Sequence, residues 1–497
     1  MSNRTPELSK PTRRGLYVGG EWISGYGKPL KSTDPYNGEL LYEARMAAPT
    51  DVSRAVSAAK NKSYRWMAMS LEERLNYVRA FEKELKDVQE KLALTISQEV
   101  GKPLWEAKTE VAAAIAKVGI SIQSYEERCK SIHFEKGSTR FETRHRAHGV
   151  VAVLGPFNFP LHLPNGHIVP ALIAGNTVIF KPSDQTPLVG EMMVQCWERA
   201  GVPPGVVNLL QGRGDIGKAL SENEEVDGIF FTGSVEVGKA LQKSQAGHLE
   251  KILALELGGN NPLIVSHVSD LDAAVYQAIL SSYITTGQRC TAARRMIVID
   301  SESNRRFVEK FIDKTLELKV GHFKEEPEPF LGPLISEAAV VRALTAQSAL
   351  QAFGGTSLIR LEHLRPGTGL VCPGLIDVTE VENLPDKELF APLLQLIWVN
   401  SLGEAIAVAS KTKFGLSASL FSDSKEEYDY VYPRLKAGLI NWNQPTTGAS
   451  SAQPFGGVGL SGNHRPSAYY AADYCAYPIA STCSDQLILP ETPLPGI

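Results

Sequence analysis

Three residues scattered through this 497-residue chain have side chains suited to chemistry at a carbonyl carbon: Cys290, Glu256 and Asn158. Cys290 lies in the small polar turn Gly287-Gln288-Arg289-Cys290-Thr291, between an apolar helical segment and a β-branched strand. A thiolate is strongly nucleophilic and accessible near neutral pH, so cysteine is the natural attacking group. A free cysteine taken alone is more often a small buried hydrophobe, and its partners must decide. Glu256 ends an apolar strand in Glu256-Leu257-Gly258-Gly259-Asn260. The glycines would admit substrate and water, and partial desolvation lifts a carboxylate toward the range of a general base. The plainer alternative is a surface Glu beside turn glycines. Asn158, in Gly155-Pro156-Phe157-Asn158-Phe159-Pro160, either donates an amide N–H to a developing oxyanion or satisfies its own turn.

A second set of residues suits a dinucleotide. Lys181-Pro182-Ser183-Asp184 places a cation and a carboxylate at a strand end, where the carboxylate can accept ribose hydroxyls and repel a 2′-phosphate, favouring NAD over NADP. Gly212-Arg213-Gly214-Asp215-Ile216-Gly217 matches GxGxxG between a strand and a helix, although a lone match is weak. Phe231-Thr232-Gly233-Ser234-Val235-Glu236-Val237-Gly238 is a rival glycine-rich cradle at a helix N-terminus, and it is preferred for the pyrophosphate, with Gly214 nearby. Glu388-Leu389-Phe390-Ala391-Pro392 offers a further carboxylate and aromatic pair, and Pro454-Phe455-Gly456-Gly457 a tight turn.

These groups need a frame. Apolar runs at 149–154, 176–180, 206–210, 226–231 and 252–257, separated by helical stretches, predict a parallel sheet covered by helices. Such sheets bind ligands beyond the carboxyl ends of their strands, which is where Asn158, Lys181–Asp184, the two glycine-rich turns and Glu256 fall. A strand at 262–266 and a helix at 271–284 then lead to Cys290. Upstream, 16–18 and 21–23 read as short edge strands, and 50–118 as helical, with Thr50 and Ser70 as N-caps and the Glu and Lys residues as a solvated face. Residues 131–148 alternate polar and apolar as an exposed hairpin suited to pairing with a partner subunit.

Composition sets the bounds. The length implies roughly three domains, and 43% hydrophobic and 21% charged residues with a net charge of -4 describe a globular chain with nothing favouring nucleic acid. Six dispersed cysteines without a CxxC pair argue against a zinc site and a disulfide framework. The polar, basic start of the chain and the lack of a run of about 20 apolar residues predict a cytoplasmic protein with no membrane partner.

In this order, PFNFP (156–160), KPSD (181–184), FTGS (231–234), ELGG (256–259), GQRC (287–290), ELFAP (388–392) and PFGG (454–457) resemble the aldehyde dehydrogenase superfamily over nearly the whole chain. The resemblance implies an α/β fold with a doubly wound, Rossmann-like NAD domain (1–130 and 149–257), an α/β catalytic domain (258–455) and a small β oligomerisation arm (131–148 and 470–490) in a homodimer or homotetramer. It also implies Cys290 as nucleophile, Glu256 as general base and Asn158 as oxyanion donor together with the Cys290 amide. Lys181 and Asp184 would hold the adenine ribose, Gly214, Phe231, Gly233, Ser234 and Gly238 the pyrophosphate region, and Glu388 and Phe390 the nicotinamide riboside. Phe157 stands where Trp is common in the family, and Asp184 where NAD enzymes usually carry Glu.

The run Ser461–Pro478, LALELGGNNPLIV (253–265) and 155–183 look like the N-succinylglutamate 5-semialdehyde dehydrogenases of the arginine succinyltransferase pathway, with departures at Ala292 and Val235-Glu236-Val237. A dianionic aldehyde needs compensating donors or cations. Arg289, Thr291, Ser450, Ser451, His464 and Arg465 are the candidates, each also readable as a turn cap or an interface salt bridge. A dehydrogenase of another semialdehyde, such as glutamate 5-semialdehyde, would share every catalytic residue. A non-catalytic protein on the same scaffold would be expected to have lost Cys, Glu or Asn.

Overall fold

The computed structural model describes residues 15–137, 139–487, 489, 492 and 494–496. The first 14 residues of the expected NAD domain, and residues 138, 488 and 490 of the expected arm, lie outside the described residues.

Two seven-stranded sheets carry most of the strands among the described residues. The first runs Ile252–Glu256, Gly228–Thr232, Val150–Leu154, Thr177–Lys181, Val207–Leu209, Leu16–Val18, Glu21–Ile23, its first five strands parallel and its edge pair antiparallel. The five parallel strands fall within two residues of the sequence expectation, and the antiparallel pair falls on it. Successive residues alternate faces, so one face packs Val151, Val153, Val178 and Phe180 against the helices Leu71–Asp87, Leu104–Arg128, His162–Ala174 and Pro187–Arg199. The other face packs Val150, Ala152, Ile179 and Ile229 with Val52, Val56 and Ile216 from helices Pro49–Ala68 and Gly214–Glu222. A strand buried on both sides must be apolar throughout, which is why these segments read as continuous apolar runs.

The second sheet runs Thr356–Ile359, Gly374–Asp377, Leu393–Val399, Ala293–Ile299, Asn261–Val265, Ser417–Phe421, Leu439–Trp442, parallel except for its first pair. A third, antiparallel sheet joins Ile132–Lys136, Thr139–Ala147 and Ala476–Cys483. It carries exposed Ile132 and Phe134, with Phe134 stacked on Phe141 at 4.9 Å. Among the described residues, no helix is long and apolar enough to cross a membrane.

Two local expectations change. Ser70 caps its helix, accepting from the Glu73 amide while Glu73 takes the Ser70 amide at 2.8 Å. Thr50 does not: the preceding helix starts at Pro49, and Asp51 takes the Ala48 amide at 2.8 Å and the Tyr26 amide at 3.0 Å. Nor are the acidic and basic residues of 50–118 all solvated, because Glu99, Lys102, Glu106, Glu110 and Lys117 are buried. Lys102 and Glu110 pair with each other, and the other partners lie elsewhere in the chain, where local periodicity cannot see them.

Phe81 and Trp197 lock the helices Leu71–Asp87 and Pro187–Arg199 together with parallel rings 3.6 Å apart. Phe81→Ala should cost about 3–5 kcal/mol through the cavity it leaves. Chemical denaturation followed by intrinsic fluorescence checks this, with catalytic turnover at low temperature expected to stay within about twofold.

Candidate active site

In the first sheet the chain builds outward from Val150–Leu154 to one side, then returns to add Gly228–Thr232 and Ile252–Glu256 on the other. The loops after Val150–Leu154 and Gly228–Thr232 therefore diverge around a crevice at the carboxyl ends of the strands. Residues 257–260 carry the chain across it to Asn261–Val265, so the carboxyl end of one sheet meets the start of the other. A cavity of about 1650 Å³ fills this seam, and Asn158, Glu256, Cys290, Lys181 and Glu388 all line it.

The nucleophile turn is held from several sides. Thr285, Thr286 and Gly287 have φ of 57°, 53° and 68°, three left-handed residues in succession, two of them β-branched. Such a run persists only where its surroundings over-determine it. Thr285 Oγ1 donates to buried Glu106, which also takes Arg289 Nη2 at 2.9 Å, while Thr286 Oγ1 donates to the Gly332 carbonyl at 2.8 Å. Gly287 cannot carry a side chain, since a Cβ would lie 2.4 Å from the Ala391 carbonyl oxygen. Every carbonyl from Gly287 to Cys290 then receives a side-chain donor. Arg294 gives to Gly287 at 2.7 Å and Arg289 at 2.8 Å, Asn158 to Gln288 at 2.8 Å, and Asn261 to Cys290 at 2.7 Å.

The asparagine loop is anchored by charge. Lys102 Nζ donates to the Asn158 carbonyl at 2.7 Å and to Glu110 at 2.8 Å, and Glu110 accepts the Leu161 and His162 amides at 3.0 and 3.2 Å. One N–H of the Asn158 amide is committed to Gln288, which leaves the other for an oxyanion. Phe159 lies between the Lys102 ammonium and the Arg289 guanidinium, at 3.9 and 4.9 Å from its ring centre.

Glu256 is 4% exposed, and neither carboxylate oxygen has a hydrogen-bond partner of ordinary geometry among the described residues. Burial raises its pKa well above the usual carboxylate range, opposed by the Ser467 amide and the Lys117 charge. Burial also pushes the Cys290 thiol up to about 12, helped by Glu388 and Glu256 and opposed by Arg294 and the Thr291 amide. The thiolate anticipated near neutral pH is thus disfavoured by desolvation, and a proton acceptor has to take its proton when the nucleophile is used.

The opposite flank has room and donors for a dinucleotide. The helix Val235–Ser244 opens toward the cavity with Ser234 as its N-cap, accepting from the Val237 amide. Phe231, Gly233 and Gly214 line the same wall, and a Cβ on Gly233 would lie 2.4 Å from the Phe231 ring. Gly238 stands outside the lining, where its missing side chain lets Leu257 pack within 2.7 Å of its Cβ position. Lys181 donates to the Pro182 and Gly212 carbonyls at 2.9 and 2.8 Å, and burial lowers its pKa to about 8. Asp184 faces the cavity 3.7 Å from Arg213. Glu388, pushed up to about 7 by burial against the pull of Arg294, accepts the Gly259 amide at 3.2 Å. Phe390 meets Phe157 edge to face at 5.9 Å. Anion-favouring amides, ribose-reaching carboxylates and an aromatic wall are what a nicotinamide dinucleotide requires.

None of the six substrate candidates lines this cavity. The Arg289 guanidinium is engaged by Glu106 and by Thr285 Oγ1 at 2.7 Å, because a buried carboxylate needs a cation. Thr291 is buried, Ser450 caps its own turn by accepting the Ala452 amide at 3.2 Å, and Ser450, His464 and Arg465 are exposed while Ser451 is half-buried. The residues that reading the sequence missed are Lys102, Glu106, Glu110, Lys117 and Arg294. A signal for three of them was present: Glu106, Glu110, Ala114, Lys117 and Ser121 repeat every three or four positions, a polar stripe that turns out to face inward.

A family model described as "Aldehyde dehydrogenase family" matches residues 22–478. Among solved structures, an aldehyde dehydrogenase from Brucella melitensis biovar abortus 2308 is 30% identical with a TM-score of 0.89, covering 96% of this chain and 98% of that chain. An NADP-dependent glyceraldehyde-3-phosphate dehydrogenase from Bacillus halodurans C-125, complexed with NADP, is 26% identical with a TM-score of 0.87, covering 95% and 99%. A 1-pyrroline-5-carboxylate dehydrogenase is 27% identical with a TM-score of 0.89, covering 95% and 93%.

Gly258 supplies a test of the dinucleotide flank. A Cβ there would lie 1.9 Å from Glu388 Oε2, so Gly258→Ala must displace the Glu388 carboxylate. Steady-state kinetics should give a cofactor KM raised about tenfold or more, with the aldehyde KM changed less.

Proposed function

Because the chain belongs to the aldehyde dehydrogenase family, we propose that it oxidises N-succinyl-L-glutamate 5-semialdehyde to N-succinyl-L-glutamate through a Cys290 thioester, with NAD as cofactor. The observation that carries the catalytic reading is the meeting of Cys290, Glu256 and Asn158 in one seam, beside a flank suited to a dinucleotide. The substrate reading rests on the resemblance of 155–183, 253–265 and 461–478, and it places the enzyme in the arginine succinyltransferase route of the cytoplasm. A homodimer or homotetramer paired through the sheet containing Thr139–Ala147 and Ala476–Cys483 completes the proposal.

In this mechanism Cys290 gives its proton to Glu256, which releases it to solvent, and the sulfur bonds to the aldehyde carbon. The free Asn158 N–H and the Cys290 amide hold the oxygen as it becomes negative. Bound beside Phe390 and Glu388, the nicotinamide would supply the acceptor for the hydride leaving that carbon, so the aldehyde is oxidised and the cofactor reduced. Glu256 then takes a proton from water, whose oxygen attacks the thioester carbonyl. The carbon–sulfur bond breaks, the carboxylate product leaves, and the thiol is restored. The buried Glu256 is suited to this work because desolvation raises its basicity.

For the ribose, Asp184 accepts hydroxyls and disfavours a 2′-phosphate, while the neighbouring Arg213 moderates that repulsion. For the substrate, Arg289 and Thr291 flank the nucleophile, and Ser450, Ser451, His464 and Arg465 are the donors proposed for its carboxylates outside the cavity lining. The likeness to a 1-pyrroline-5-carboxylate dehydrogenase supports glutamate 5-semialdehyde as a second reading.

Cys290→Ala should abolish oxidation, and Glu256→Gln should slow thioester hydrolysis by about 10²–10⁴-fold. Normal turnover in the Cys290→Ala enzyme would remove the mechanism. NADH formation across an aldehyde panel should give the highest kcat/KM for the dianionic semialdehyde, and a monoanionic aldehyde that outperforms it would overturn the substrate assignment. With NADP in place of NAD, kcat/KM should fall, and Asp184→Ala should narrow that gap about tenfold or more.

A further inference from the structure

The helix Leu104–Arg128 turns a stripe of charge inward, and two members of that stripe already have partners: Glu106 meets Arg289, and Glu110 meets Lys102. The next is Lys117, 3% exposed, and among the described residues the carboxylate charge that favours its ammonium is that of Glu256, 4% exposed. We propose that Lys117 is a positioning residue for the general base, its buried ammonium being the counter-charge that lets the Glu256 carboxyl ionise in a buried site.

The geometry brings the two groups into one compartment through a short series of contacts. A Cβ on Gly166 would lie 3.6 Å from Lys117 Nζ, so the ammonium ends against the helix His162–Ala174. The next residue on that helix, His167, reaches Thr232 Oγ1 with Nε2 at 3.0 Å and Tyr474 Oη with Nδ1 at 2.7 Å. Thr232 pairs in register with Glu256 on the neighbouring strand.

The other groups facing this compartment leave the task to Lys117. His162 and His167 are held to about 3 by burial and by the Lys117 charge, so both are neutral at working pH. Cys290, on the nucleophile turn, is pushed up by burial, Glu388 and Glu256, and Tyr474, on the helix Ala471–Cys475, by burial, Cys475 and Glu256; a thiol and a phenol are neutral at most and supply no cation. Among the described residues, the Ser467 amide and the Lys117 ammonium favour the charged form of Glu256. Burial lowers Lys117 to about 8 with Glu256 opposing, which leaves it cationic near neutrality. A buried charge without its counter-charge is strongly disfavoured, so each group favours the charged form of the other.

This inference rests on Glu256 acting as the base, and the test separates the two ideas. The measurement is the pH profile of thioester hydrolysis, under conditions where that step limits turnover, in Lys117→Met and Lys117→Gln. Loss of the cation raises the pKa of the carboxyl, so the midpoint of the acidic limb should move to higher pH by about one unit or more. The KM for aldehyde and for cofactor should stay within about twofold, and Lys117→Met should add nothing to the loss already present in Glu256→Gln. Lys117→Arg, which keeps the cation, should keep the wild-type midpoint, and it decides alone if the neutral variants do not fold. An unmoved midpoint in the neutral variants, or a displaced one in Lys117→Arg, overturns the proposal. If Glu256→Gln hydrolyses the thioester at the wild-type rate, the base assignment itself fails; if Glu256→Gln is slow while Lys117→Met leaves the midpoint in place, only the role of Lys117 fails.

Discussion

Desolvation governs this site. The Cys290 thiol and the Glu256 carboxyl each have to lose a proton during the proposed reaction, and both sit in the seam between two sheets where burial penalises their charged forms. The same burial strengthens every charge that is supplied, because a low-dielectric surrounding magnifies fixed dipoles and ions. Around the seam, Arg294, Lys102, Arg289 and Lys117 are all buried or nearly so, and three of them meet carboxylates within 4 Å. The site is in this sense a set of paired charges arranged around two acids that water does not reach freely.

The pairing also carries structural strain. Three consecutive left-handed residues lead into the nucleophile, and they are retained because Glu106 binds Thr285 while Arg294, Asn158 and Asn261 occupy the carbonyls of the turn. Glu106 belongs to a helix that packs on the first sheet, Arg294 to a strand of the second, and Asn158 to a loop of the first. The nucleophile turn is therefore positioned by both halves of the molecule at once. The packing of the two sheets and the geometry of the chemistry are the same problem.

Much of this was legible in the sequence and some was not. The continuous apolar strands, the breaks after them and the turn glycines all have local causes, so the first sheet and the residues at its carboxyl ends could be read from spacing alone. Asn158, Lys181 and Glu256 reach one cavity because they follow or end strands of the first sheet, whereas Cys290 and Glu388 enter it from segments that precede strands Ala293–Ile299 and Leu393–Val399 of the second. High charge on a helix predicts a solvated face for Lys102, Glu106, Glu110 and Lys117, but Lys102 and Glu110 pair with each other, and the further partners Arg289, Asn158 and Glu256 lie far along the chain. Thr50 gave way to Asp51 at a helix start for a similar reason, since Asp51 also serves the Tyr26 amide across a chain gap. What escaped was the set of long-range charge pairs, whose members carry no mark of each other locally.

The central claim, that the aldehyde carbon becomes bonded to Cys290 before water releases it, is tested most directly by mass spectrometry of the Glu256→Gln enzyme mixed with aldehyde and NAD and quenched in acid. The account predicts an acyl mass adduct on the peptide containing Cys290, formed in step with NADH and persisting where the wild-type enzyme has already cleared it. NADH formed without any adduct on that peptide, or an adduct on a different residue, would contradict it.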